Sequence, residues 1–421
     1  MSTGLRGDMI SLELLTNAES QSTIAGLVHI DFKKVIEKKI REVRVELIVE
    51  ARSKVAVGND SPDEVSEVLS RLYPMNKILW TATSDETALS DLALLDHKTF
   101  DFWFSLSDTE IPESVPAPSF SFLSGYSLPQ VTASISYAIN VIGKRSGQWS
   151  PDVHLKRQFN FLPLDHTPLI PQDHSRGKTL GRFQQSVRSW KDALRSGDGG
   201  RVELEFWGPD AKSVSCFQPI PISIIVKCFS KHMSSSRSTD RSAFTFPPKT
   251  PLDIELRLRA ICSVTANERQ LTKSKEIASL GQFGRAHQGS TSRGSPQDIV
   301  IDAEEPTWIA GAFGTSPSKG GRWRQTVSFR THIVLSCAPT FETSLDSSQD
   351  LSVTSKLRGK GKMSLEYELV LKVSFPGLGN NVTGTIPLKH LTSGLRQGQT
   401  IPGVDASPGY TNQSPGYSIG L

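Results

Sequence analysis

Paired cysteines are missing from this chain. Cys216, Cys228, Cys262 and Cys337 are its whole complement, with no CxxC spacing and no cluster of histidines beside them. That excludes zinc ribbons and thioredoxin-type redox motifs. Long apolar runs are missing too. The longest, Pro219 to Val226, is broken by Pro221 and Ser223, well short of the ~20 residues that span a bilayer. The opening MSTGLRGDMISLELL has no apolar core of a signal peptide, so the expectation is a cytoplasmic protein with reduced thiols. There is no HExxH, no GxSxG and no Walker loop, and the histidines are scattered. Asp165/His166 and Asp173/His174 fall in a Pro-rich stretch and read as linker residues, not as an acid–base pair. No catalytic, cofactor-binding or metal-binding residue is assigned, and no enzymatic activity is expected. A net charge of +4 is too small for a chain of this length to imply nucleic acid, and none is expected as a partner.

What is present is alternation. Phe100, Phe102, Phe104 and Leu106 alternate with polar residues and Trp103. Val131, Ala133, Ile135, Tyr137, Ile139 and Val141 do the same, and a period of two marks a half-buried strand. Pro112, Pro116, Pro118 and Pro129 lie between these runs and impose an extended, irregular crossover. The cleanest strand is IREVRVELIVEAR, with Val43, Val45, Leu47, Val49 and Ala51 on one face and charges on the other. Residues 9–15 and 24–32 are strands before it. Residues 53–98 read as an insertion with a helix from Ser61 to about Leu72 and a strand over 77–83.

At 421 residues, two domains are expected. The fold class is all-β: two immunoglobulin-like sandwiches joined by a hinge, with disordered insertions and tail. The first covers 8–162, the hinge 163–200 and the second 201–390. Within the hinge, Leu180, Phe183, Val187, Trp190 and Leu194 recur at three and four residues, which predicts a basic amphipathic helix. In the second half, residues 254–264, 323–337 and 363–375 alternate, and 383–388 closes the sheet. The stretches 232–250, 284–322 and 391–421 lack alternation and are rich in Ser, Gly, Pro and Thr, so they are expected to stay unpacked.

The early strand, GLVHIDF (Gly26 to Phe32), Ile40 to Arg52, LLDHKTFDFWFSLS, the APSF crossover (Ala117 to Phe120) and TASISYAINVIGKR (Thr132 to Arg145) stand in an order that resembles the N-terminal domain of arrestin-like proteins, the fungal α-arrestins in particular. The resemblance covers roughly residues 8–162; beyond that only strand pattern and position fit. It implies two arrestin-type sandwiches and a non-enzymatic adaptor. Such an adaptor binds cytoplasmic tails of membrane transporters or receptors for endocytosis and trafficking, in the cytoplasm and peripherally at plasma membrane or endosomes. One departure is clear: MISLELL has no Lys or Arg, where phosphate-sensing arrestins carry basic residues in the first strand. The alternative reading is a structural coat or sorting-complex scaffold of the same fold; a β-sandwich hydrolase or carbohydrate binder lacks paired carboxylates in its support.

Several stretches are candidates for partners. SPGY occurs twice in the tail, and Pro408/Tyr410 and Pro415/Tyr417 keep the Pro-x-Tyr part of a PPxY motif, which would recruit a HECT-type ubiquitin ligase through WW domains. The expected helix, with Arg182, Phe183, Val187, Arg188, Trp190 and Lys191, is a candidate for anionic membrane or a partner; packing of its apolar stripe against a sandwich is the competing explanation. The basic tracts Lys33/Lys34/Lys38/Lys39 and Lys356/Arg358/Lys360/Lys362 are candidates for acidic or phosphorylated tails.

Overall fold

Strict alternation from Val43 onward produces the strand on which the first half is assembled. The computed structural model describes residues 9–15, 23–58, 65–82, 97–106, 116–125, 128–146, 151–165, 177–187, 200–209, 213–239, 247–248, 250–282, 299–310, 320–346, 357–375 and 381–395. The first half contains β1 (Ile10–Leu15), β2 (Thr23–Asp31), α1 (Phe32–Glu37), β3 (Ile40–Ala56), β4 (Val65–Thr81), β5 (His97–Ser105), β6 (Phe120–Leu123), β7 (Gln130–Arg145) and β8 (Val153–Phe159). One antiparallel sheet runs β1-β2-β5. A second runs β4-β3-β7, and both β6 and β8 pair with β7. Val43 to Ala51 and Val131 to Val141 bury the faces expected of them. The two sheets meet across this core: a methyl at Gly143 of β7 would lie 3.3 Å from Ile10 Cδ1 of β1.

The second half contains β9 (Gly177–Val187), β10 (Gly200–Pro209), β11 (Val214–Ser215), β12 (Pro219–Phe229), β13 (Ile254–Ala266), β14 (Arg269–Gln282), β15 (Val300–Ala303), β16 (Thr307–Ala310), β17 (Gly321–Val334), β18 (Phe341–Asp346), β19 (Lys360–Val373), β20 (Val382–Leu388) and β21 (Leu391–Thr392). One sheet runs β15-β17-β12-β10-β9, with β16 also on β17. Another runs β14-β13-β19-β18, with β20 also on β19. The short pair β11–β21 is parallel. Ile254 to Val264 and Leu365 to Val373 present buried inner faces, as their alternation requires.

The halves touch. Ser53 Oγ, fully buried, donates to the Thr265 carbonyl at 3.3 Å, and Ser70 Oγ donates to the Asp346 carbonyl at 3.3 Å. Phe120 and Phe341 meet edge to face at 5.1 Å. Buried residues of both halves form one continuous apolar cluster.

Several expectations need correction. Residues 65–72, expected in a helix, are strand instead, and together with the strand expected from 77 they form one strand, β4, along β3, with register shifts between Val43 and Arg44 and between Leu47 and Val49. Each extra residue on β4 flips the phase of alternation, so no clean period of two survives in the sequence. Residues 177–187, placed in a hinge helix, are strand β9 against β10. Here the register shifts between Phe206 and Trp207, opposite Leu180, so Leu180 and Phe183 both turn toward the core despite being three apart. A bulge had imitated a helical spacing. The stretches expected to stay unpacked contain β15, β16, the start of β17 and β21; Met233 bridges Gly321, and Pro247 and Pro248 are buried.

Candidate functional site

The joint between halves is fastened at Asp165. Its backbone N–H donates to the Leu395 carbonyl at 2.7 Å. Its buried carboxylate accepts from Ser215 Oγ at 3.2 Å, Thr392 Oγ1 at 2.5 Å and Gly394 N at 3.2 Å. Three segments converge on one anion: the start of the linker, β11, and the stretch after β20. All three bonds fall on Oδ2, and bonds to a charged acceptor are about twice as strong as neutral ones. Both hydroxyls spend their protons on Asp165, so the arrangement fixes backbone and does not activate a nucleophile. Read from sequence alone, Asp165 is a linker residue; its partners lie 50, 227 and 229 residues away, beyond any local signal.

Beneath this clasp lie two thiols. Cys216 donates its N–H to the Thr392 carbonyl at 2.8 Å, and its sulfur is 3.9 Å from that of Cys337. All four cysteines are free and buried. The adjacent Cys337 thiol, then burial and Asp165, push the Cys216 thiol up. Burial pushes Cys228 and Cys262 up to about 12. Burial, then the Cys337 and Cys216 sulfurs, push the Tyr367 phenol up. Among the described residues no three of His, Cys, Asp or Glu converge as metal ligands do, and no helix is long and apolar enough to cross a membrane.

A second feature is a basic end on the first half. Asp31 caps α1 by accepting from Lys34 N at 3.2 Å and pairs with Lys34 Nζ at 3.0 Å. Burial works against the Asp31 charge, but these Lys34 contacts outweigh it and hold the carboxyl below its ordinary range. Lys33, Lys38, Lys39 and Arg41 are exposed around the helix. Ser146 N donates to the Lys39 carbonyl at 3.0 Å, which brings the end of β7 alongside. Lys144 is paired with Glu42 at 3.1 Å. The other basic tract does not form such an end: Lys360 and Lys362 lie on β19, where Lys362 pairs with Glu342 at 2.5 Å, and Lys356 is outside the described residues.

Three edge strands of the first half carry cations opposite buried residues or near the neighbouring sheet. Lys77 of β4 stands opposite buried Val45, with Nζ 6.0 Å from the Trp103 ring centre. Lys98 of β5 stands opposite buried Ile30, 5.1 Å from the Phe100 ring centre. Arg157 of β8 donates to the Leu12 carbonyl of β1 at 3.3 Å. Cations so placed discourage pairing with a foreign strand.

Of the residues expected to meet partners, Arg182, Phe183 and Val187 lie on β9. Arg182 is exposed and reaches Glu205 at 3.6 Å. Phe183 packs on the core, its ring filling the space a side chain at Gly384 would need. Arg188, Trp190 and Lys191 lie outside the described residues, as do Pro408, Tyr410, Pro415 and Tyr417. The partner helix is therefore withdrawn for 177–187. No protein-family model matches the chain, and no curated protein matches it either.

Proposed function

We propose that this chain is a non-enzymatic, arrestin-like adaptor: two β-sandwiches of arrestin type that bind cytoplasmic segments of membrane proteins for endocytosis and trafficking. The observation that carries the reading is how the residues of the resemblance interlock. Gly26 pairs directly with Phe102, Ile40 to Arg52 pair with residues 134–145, and the Tyr137 hydroxyl donates to the Ala117 carbonyl of the crossover at 2.6 Å. Motifs quoted separately along the sequence thus support one unit. The joined halves suit an adaptor that holds cargo on its body and a ligase through the SPGY repeats.

The exposed basic end around α1 suits an acidic or phosphorylated cargo segment. The SPGY repeats recruit a WW-domain ubiquitin ligase in this reading. Affinity purification compares the full chain with a 1–395 truncation, which spares buried Leu391, Ser393 and Leu395. Membrane proteins are expected with both, and the ligase with the full chain alone. Neither class with either protein defeats the reading. Recovery in one constitutive large assembly favours the scaffold alternative.

A further inference from the structure

Cys216 and Cys337 sit on segments that residues 391–395 bind together. The antiparallel register sets Pro219 opposite Val334 and Ile220 opposite Ile333. The ladder ends at Pro219; beyond it the chain turns at Phe217, whose φ is 59°, and the Cys216 and Cys337 sulfurs come within 3.9 Å of each other.

The cover over this pair is short. On one side, Cys216 N donates to the Thr392 carbonyl at 2.8 Å, and Gly394 lies so close to the Cys216 carbonyl that a side chain there would collide with it. On the other side, Leu391 N donates to Thr340 Oγ1 at 3.0 Å and Thr340 N donates to the Leu391 carbonyl at 3.0 Å, just beyond Cys337. The ladder itself is two residues long, Val214 with Leu391 and Ser215 with Thr392. The Asp165 carboxylate and backbone N–H, Val214 N to the His390 carbonyl at 2.8 Å and Gln218 Nε2 to the Gly394 carbonyl at 2.8 Å complete the anchoring. A two-residue ladder opens at lower free energy than central strands. Cys228 and Cys262 stand in mid-strand on β12 and β13 and depend on no such cover.

We propose that Cys216 and Cys337 are a disulfide-forming pair gated by segment 391–395. Closed and held by Asp165, the segment keeps both thiols reduced. Lifted, it admits a hydroperoxide. One thiolate sulfur attacks the hydroperoxide's outer oxygen, the O–O bond breaks, and an alcohol (or water, from hydrogen peroxide) leaves. The resulting sulfenic acid is attacked by the second sulfur, which forms the S–S bond and releases water. Two thiols are oxidised, one hydroperoxide is reduced, and the two thiol hydrogens end in the alcohol and water. The bond would join β11 to the end of β17 without the clasp.

The test uses the full chain. A maleimide pulse under native conditions, read by peptide mass, should modify Cys216 and Cys337 together, roughly tenfold or more ahead of Cys228 and Cys262. Asp165→Asn should accelerate the first pair by roughly tenfold and leave the second unchanged. Hydrogen peroxide should give a Cys216–Cys337 cross-link, lighter by two hydrogens, reversed by dithiothreitol and absent in Cys337→Ser. Should Asp165→Asn not fold, Thr392→Val, which removes one of its donors, carries the same expectation. Equal labelling of all four cysteines in the wild type, a wild-type rate in the clasp variant that folds, or peroxide products without this cross-link would overturn the proposal.

Discussion

The hydroxyl of Tyr137 donates to the carbonyl of Ala117 at 2.6 Å, inside the core and across twenty residues of chain. The same ring lies 4.7 Å from Phe161, and Phe161 exchanges hydrogen bonds with Ser119: Ser119 N to the Phe161 carbonyl at 2.8 Å and Phe161 N to Ser119 Oγ at 2.8 Å. A proline-rich crossover cannot satisfy its own carbonyls, so a side chain from β7 does it. Tyr137→Phe keeps the ring packing and strands a buried acceptor. Its expected cost is about 1–3 kcal/mol in urea unfolding, with an unchanged m-value. A loss below the error of the measurement would mean that the hydroxyl does not hold the crossover.

Gly384 and Phe183 form one packing unit. A side chain at Gly384 would collide with the Phe183 ring. Gly384→Ala is expected to destabilise by about 1–3 kcal/mol through overpacking. Phe183→Ala removes the ring and opens the space. In the double variant the penalty of Gly384→Ala should vanish, and a double-mutant cycle reads that coupling. Additive losses would contradict the placement of Phe183 on the core. Membrane affinity should not change in Phe183→Ala, since its ring is inward.

The two halves share a core through Phe120 and Phe341, at 5.1 Å. Truncating each to Ala and then both should give a coupling of about 0.5–1.5 kcal/mol. Unfolding of the wild type by heat should be one transition, which the double variant broadens or splits. Two separated transitions in the wild type would show that the halves fold independently of this contact.

Glu205 gives a pH dependence with a definite sign. Burial opposes its charge. Hydrogen bonds from Lys227 at 2.8 Å and Trp207 Nε1 at 3.3 Å, with Arg182 at 3.6 Å, outweigh that and hold the carboxyl below its ordinary 4.5. A lowered folded value stabilises the fold above the unfolded value, and that contribution fades as pH falls through the folded one. Glu205→Gln should therefore be less stable than wild type at neutral pH. The gap should narrow as pH drops below 4.5. A gap constant with pH would remove Glu205 as a stabilising charge.

Much of the fold can be read from alternation, and the limits have physical causes. β3, β7, β13 and β19 are central strands with long unbroken stretches of phase, so Val43 to Ala51 and Ile254 to Val264 announce their buried faces. β4 and β9 are bulged edge strands, and each bulge resets the phase; at Leu180 the result imitates a helix. β15 escapes for another reason: Val300 to Ala303 are all exposed, so no buried face patterns them. The clasp is least legible, because Asp165 meets Ser215 and Thr392 only once both sheets of the second half are in place. The basic end, by contrast, is visible as Lys33, Lys38 and Lys39, though their separation from paired Lys34 needs the α1 cap.

The adaptor reading meets its most direct test in living cells. Proximity labelling from the full chain is compared with a variant in which Lys33, Lys38, Lys39 and Arg41 are changed to Glu, a surface set that leaves the core intact. The account predicts that cytoplasmic segments of transporters or receptors are labelled by the wild type and lost from the charge-reversed variant. Ligase labelling should persist, because it depends on the tail. Labelling that contains no membrane proteins, or the same membrane proteins from both chains, would contradict it.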